Sequence, residues 1–260
     1  MNMIQMVGIV TFFYFFTLTL ICISKDKVST GVMNMIFIIA GVVFFSCWCY
    51  ATYLHRGKYS SMILENISPL MCIVIPATLI MSEKIRKYAH SAIAFLCFGM
   101  FVAMLFSPSH TYLFSFNHEA TFIYTSEALC HMNCSLFGIY LVLSGQVKAD
   151  FDHWTKSIVF MYSIITYGVV LNLVFGTGNF GMDPNDASIY MIDIFTSFEA
   201  TLLAYYLGVL LVLTLGMQVC RSIERLSQPR ATSMQTEEQK EEAMTENTEE
   251  MPTEKQMEQL

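Results

Sequence analysis

Between residues 127 and 133, Glu127, Cys130, His131 and Asn133 set a carboxylate, a thiol, an imidazole and an amide on one short stretch of chain. Glu127 and His131 are four apart, the spacing that brings two side chains onto one face of a helix. A second thiol, Cys72, lies between Pro69 and Pro76, with Glu65 and Asn66 just ahead of it. Further along, Asn172, Asp193 and Glu199 interrupt otherwise apolar sequence. Three kinds of chemistry are open to such a set. A thiol beside an imidazole can act as a nucleophile with its base. Carboxylates and a histidine can relay protons, and any of these groups can hydrogen-bond neighbouring helices together.

The sequence around these residues is what makes them conspicuous. Hydrophobic residues make up 55% of the 260 residues, against about 45–50% in soluble domains. Charged residues make up 13%, roughly half the usual share of about 25%. Mean hydropathy is +0.52. Of the net charge of −7, most is carried by residues 227–260, which hold three basic against nine acidic residues; the rest of the chain holds eleven against twelve. These features exclude a soluble α/β enzyme, a nucleic-acid binder and a disulfide-stapled secreted domain. They point to an integral, multi-pass membrane protein.

A helix needs about 20 apolar residues to cross a bilayer core of roughly 30 Å. Seven stretches qualify: residues 6–23, 31–54, 63–81, 90–106, 120–144, 156–176 and 192–218. The sequence therefore predicts an all-α, polytopic bundle of seven transmembrane helices over residues 1–226. The first stretch has no basic residue ahead of it, and Lys25 and Lys27 follow it, so it reads as a span rather than a cleavable signal. With the N-terminus outside, the inner segments hold Lys25, Lys27, Lys84, Arg86, Lys87, Lys148, Lys156, Arg221 and Arg225, and the outer ones only Arg56 and Lys58. That bias places the N-terminus outside or in the lumen and the C-terminus in the cytosol. Residues 227–260 are rich in Glu, Gln and Thr and lack aromatics, which predicts a disordered, acidic cytosolic tail.

Depth then sorts the polar set. At about 1.5 Å per helical residue, Cys72 lies roughly 13 Å, His131 roughly 17 Å and Glu199 roughly 10 Å from the outer ends of their spans, with Asn172 about one turn from its own. The four can share one layer in the outer half of the bilayer. All eight cysteines fall in spans or at their inner ends, none in an outer loop, and no CxxC pair is present. Neither a loop-stapling disulfide nor a zinc site is indicated. The abundant Met and aromatic residues read as packing and lipid-facing surface.

Four segments, between about residues 60 and 215, carry a resemblance. They are Ser68-Pro69-Leu70-Met71-Cys72; Gly99 and Ala103 in a run ending at Pro108; Cys130-His131 with Tyr140-Leu141; and Asn172, Gly176, Asn179 and Phe180. In this order they resemble the YwaF-type integral membrane family, related to transmembrane protein 164, a cysteine-dependent phospholipid acyltransferase. The chain departs from that pattern in placing Leu70, Met71 and Ile73 beside the cysteine, where many relatives have a histidine, and in one extra residue before Asn179.

The resemblance implies Cys72 as nucleophile and His131 as its base. Cys72 would attack an acyl ester of a membrane phospholipid, and the thioester would pass its acyl chain to a lysophospholipid hydroxyl. Glu127 or Glu199 would orient the imidazole, and Asn172 or a main-chain amide near Pro69 would hold the oxyanion. No cofactor and no metal is implied, and the partners are membrane phospholipids and lysophospholipids. Cys130 is the rival nucleophile, but neighbours on a helix point about 100° apart, so it does not face His131. Two other functions fit the same residues. A proton-coupled transporter would use Glu127, His131 and Glu199 as a relay, although no internal repeat is visible. A non-catalytic seven-helix scaffold or receptor-like protein would use the polar groups as interhelical glue.

Overall fold

The computed structural model describes residues 3–56, 67–112, 118–175 and 198–227. These form seven helices: α1 (Met3–Ser24), α2 (Thr30–Arg56), α3 (Ile67–Ala77), α4 (Glu83–Tyr112), α5 (His118–Leu143), α6 (Phe151–Phe175) and α7 (Phe198–Ser227). No strand occurs among the described residues. Each helix falls on one of the seven apolar stretches. Five contain segments long and apolar enough to cross a membrane: Thr30–Ala51, Glu83–Leu105, Thr125–Leu143, Phe151–Phe175 and Phe198–Leu226. The apolar part of α1, Gly8–Ser24, is shorter. Helix α3 runs for 11 residues, about 16 Å, short of the 63–81 stretch expected as a span. The chain is thus an all-helical protein with the length and apolarity of an integral membrane protein.

Its surface agrees. Phe12, Phe16, Tyr167, Leu173, Leu203, Leu207 and Leu211 all stand exposed. The last three recur at every fourth residue of α7, an apolar stripe that water would not tolerate at this extent but hydrocarbon accepts.

Helix α5 occupies the centre. In its membrane-length segment 78% of residues are buried, against 56% for α4 and 28% for α2, α6 and α7. It packs against α1, α2, α3 and α4. The α4–α5 seam is close because Gly138 has no side chain: a Cβ there would sit 2.6 Å from the Ile93 carbonyl oxygen. Small residues commonly permit such approach between membrane helices. Gly216 does the same for α7 against α4, where a Cβ would lie 1.7 Å from the Phe95 carbonyl oxygen.

Polar groups tie α5 to three neighbours. The Tyr14 hydroxyl meets Ser135 Oγ at 2.9 Å, and Ser135 in turn donates to the Cys97 carbonyl at 2.8 Å. Asn133 Nδ2 donates to the Phe37 carbonyl at 3.2 Å. Asn133 is therefore glue between α5 and α2, the plainest of the roles open to it.

Turn chemistry sets the helix ends. Gly145 takes φ +70° just beyond α5, with its N–H on the Val142 carbonyl and the Val147 N–H on the Leu141 carbonyl. This left-handed step after a helix favours glycine. Asp150 caps α6: its Oδ1 accepts from the His153 N–H at 2.9 Å. One end of the bundle gathers several turns that the charge bias assigns to a single side. Asn34 and Gln146 exchange side-chain hydrogen bonds, Glu224 accepts from the Ala149 N–H, and Arg221 donates to the Ala149 carbonyl. The chain divides into two compact units, Met1–Glu224 and Arg225–Leu260. The tail expected over 227–260 lies, apart from Ser227, outside the described residues.

Candidate functional site

Pro76, four residues after Cys72, has no N–H, so the Cys72 carbonyl loses its helical donor. The Cys72 side chain, wholly buried, packs in a small cluster with Trp48 of α2 and Cys130 of α5, flanked by Phe44, Phe45 and Cys49. Three helices, α2, α3 and α5, thus bring Cys49, Cys72 and Cys130 into one cluster, with Cys134 one turn further along α5.

His131 follows Cys130 and is also buried. Its Nδ1 lies 2.9 Å from the Glu127 carbonyl oxygen. A carbonyl can only accept, so Nδ1 carries the hydrogen, and in the neutral ring Nε2 holds the lone pair. The imidazole is in this way oriented as a base through Nε2. It is the main-chain oxygen of Glu127, and not the carboxylate that the i,i+4 spacing suggested, that makes this hydrogen bond. Glu127 itself is half-buried.

The contact between Cys72 and Cys130 sets α3 and α5 at a common level, with His131 one residue further along α5. The structure packs Cys72 against Cys130, while the His131 Nδ1 is bonded to the Glu127 carbonyl. Asn172 ends the inward stripe of α6 that runs from Ser157 through Met161, Ile165, Gly168 and Val169. Glu199 stands on an exposed position in the first turn of α7. Glu65, Asn66, Gly176, Asn179, Phe180 and Asp193 lie outside the described residues. Tyr140 is fully buried against Phe37, ring centroids 5.6 Å apart, and its hydroxyl has no hydrogen-bond partner among the described residues.

Sequence reasoning missed the gathering of thiols. Cys130 and Cys134 share a helix face at i,i+4, which was a legible signal; that Cys49 and Cys72 approach the same face was not. A second pair of thiols, Cys97 of α4 and Cys220 of α7, lies in the main core, and Cys220 donates to the Ala94 carbonyl at 3.4 Å.

Two other features are polar. A cleft of about 410 Å³ opens among Asn34, Thr78, Glu83, Arg86, His90 and Gln146. Glu83 there pairs with Lys87 at 3.0 Å. At the start of α6, Asp150, Asp152 and His153 bring three potential ligand atoms within 4.8 Å of one another. Those groups already serve the helix: Asp150 caps it and pairs with His153, and Asp152 pairs with Lys156. Burial pushes the Asp150 carboxyl up, but the His153 N–H and ring, with Lys156, outweigh it and hold the carboxyl below its usual range.

Comparison with family models, with curated proteins and with solved structures finds no match to this chain.

Proposed function

We propose that the chain is a seven-span membrane protein of the YwaF type, with its N-terminus outside and its acidic tail in the cytosol, that moves an acyl chain from a phospholipid to a lysophospholipid. Cys72 is the nucleophile and His131 the base. The observation that carries this reading is a thiol and an oriented imidazole at one level of an apolar bundle. A thiol in apolar surroundings attacks an ester only if a base removes its proton. His131, its ring held through Nδ1 on the Glu127 carbonyl, is suited to that role, and Cys130 marks where α3 meets α5 beside it.

The steps balance. His131 takes the Cys72 proton as sulfur attacks the ester carbonyl, then returns it to the departing lysophospholipid oxygen. In the second half an acceptor hydroxyl attacks the thioester, its proton passing through His131 to restore the Cys72 thiol. The lipid surface of the helices suits substrates that arrive sideways from the bilayer.

The test uses purified protein in phospholipid vesicles with a labelled diacyl donor and a lysophospholipid acceptor. Cys72→Ala abolishes transfer, and His131→Ala lowers it by about 10²–10⁴-fold, the usual worth of a general base. Cys130→Ala retains it. Full transfer by Cys72→Ala refutes the assignment, and loss confined to Cys130→Ala moves the nucleophile to the rival thiol.

A further inference from the structure

Cys72 and Cys130 pack in one small buried cluster, on two different helices, with almost no exposed surface on either. Apolar surroundings penalise charged products such as a thiolate or a thiolate-bound metal complex. They do not penalise a neutral one. The product of joining two thiols, a disulfide, is neutral, and adjacent cysteines on packed helices are the arrangement it requires. We propose that Cys72 and Cys130 form a dithiol–disulfide pair that links α3 to α5 and is oxidised by a lipid-soluble quinone.

The chemistry closes on itself. Two S–H bonds break and one S–S bond forms. The two electrons and two protons released reduce the quinone to its hydroquinone. Access points to that class of acceptor. Cys72 and Cys130 are 0% and 2% exposed, so a reagent confined to water does not reach them. On the α2 side, however, Phe44, Phe45 and Cys49 are only half-buried, and Val42 and Val43 of the same helix face outward. Phe45 and Trp48 stack there with ring centroids 6.0 Å apart. A flat quinone ring entering from hydrocarbon meets a surface of matching chemistry beside the two thiols.

The pair is distinct from Cys97 and Cys220, where the Cys220 thiol serves the Ala94 carbonyl. It is also independent of acyl transfer: the disulfide is read by mass, with no substrate present. Should both readings hold, the oxidised protein has no free nucleophile at Cys72.

The experiment exposes the full chain in phospholipid nanodiscs to duroquinone, whose ring carbons are all substituted and so resist thiol addition. Remaining thiols are alkylated after denaturation, and the digest is read by mass spectrometry. The expected result is a Cys72–Cys130 linked peptide, with one duroquinol formed per link and both free thiols restored by dithiothreitol. Cys130→Ser removes the link and the quinol, while Cys134→Ser keeps both. Full alkylation of Cys72 and Cys130 in the quinone-treated wild type, or a link that joins Cys72 to another cysteine, overturns the proposal. That readout needs no variant to fold, and retained acyl transfer by Cys72→Ala would leave it untouched.

Discussion

Tyr140 buries a hydroxyl that finds no partner among the described residues. An unsatisfied group of this kind costs about 1–3 kcal/mol. Tyr140→Phe removes the oxygen and keeps the ring against Phe37, so the variant should unfold at a higher temperature in detergent; a lower one would mean that the hydroxyl is satisfied. The resemblance includes Tyr140, so transfer activity should be read on the same sample, where stability gained with activity lost would mark a functional hydroxyl. How far single residues were legible follows from what a sequence encodes about a helix. Counting residues along each span gave depth, and Cys72 and the Cys130–His131 pair do share a level. Rotation about the helix axis depends on which faces pack together, and no count supplies it. Hence a common height for Cys72 and Cys130 was legible in the sequence, while the packing of one against the other was not.

Among the elements, α6 shows most directly how local sequence fixes a boundary. Asp150 accepts the His153 N–H at its start, and losing such a cap costs about 1 kcal/mol. Asp150→Ala should destabilise the protein by that order in chemical denaturation. Because the folded carboxyl is held below its usual range, its contribution is complete above the unfolded pKa of about 3.9. It is lost as pH falls through the lower folded value, so the two proteins should converge in acid. Glycine seams offer a second test. At Gly216 an added methyl meets main chain, the Phe95 carbonyl, whereas at Gly99 it meets the tip of Val212 at 2.8 Å. Gly216→Ala should cost about 1–3 kcal/mol, the usual penalty of overpacking, and Gly99→Ala clearly less, both measured as midpoint shifts. The apolar stretches located all seven helices, but some helices outrun them: α4 begins seven residues before its stretch and α7 ends nine residues after its own. The reason is that Glu83 to Ala89 and the turns around Arg221 and Arg225 are polar enough to end a hydropathy window yet remain helical.

For the whole molecule, charge bias and packing speak to the same division. Asn34, Gln146, Ala149, Arg221 and Glu224 are bonded at one end of the bundle, the end that the proposed orientation puts in the cytosol because its turns carry basic residues. Protease added to the cytosolic face of sealed vesicles should remove an epitope at the C-terminus and spare one at the N-terminus; the reverse pattern would invert the proposed orientation. The centrality of α5 has a consequence for how the protein is made. Helices α1 to α4 leave the ribosome first, yet all four pack against α5, which also supplies the Tyr14 hydroxyl with Ser135 and adds side-chain donors to the Phe37 and Cys97 carbonyls. A nascent chain halted before residue 118 holds four helices without the one they pack around, and its Tyr14 hydroxyl lacks Ser135. Such an arrested intermediate should need protection by the insertion machinery until the fifth helix arrives, and a truncated gene product of that length should be degraded rather than accumulate.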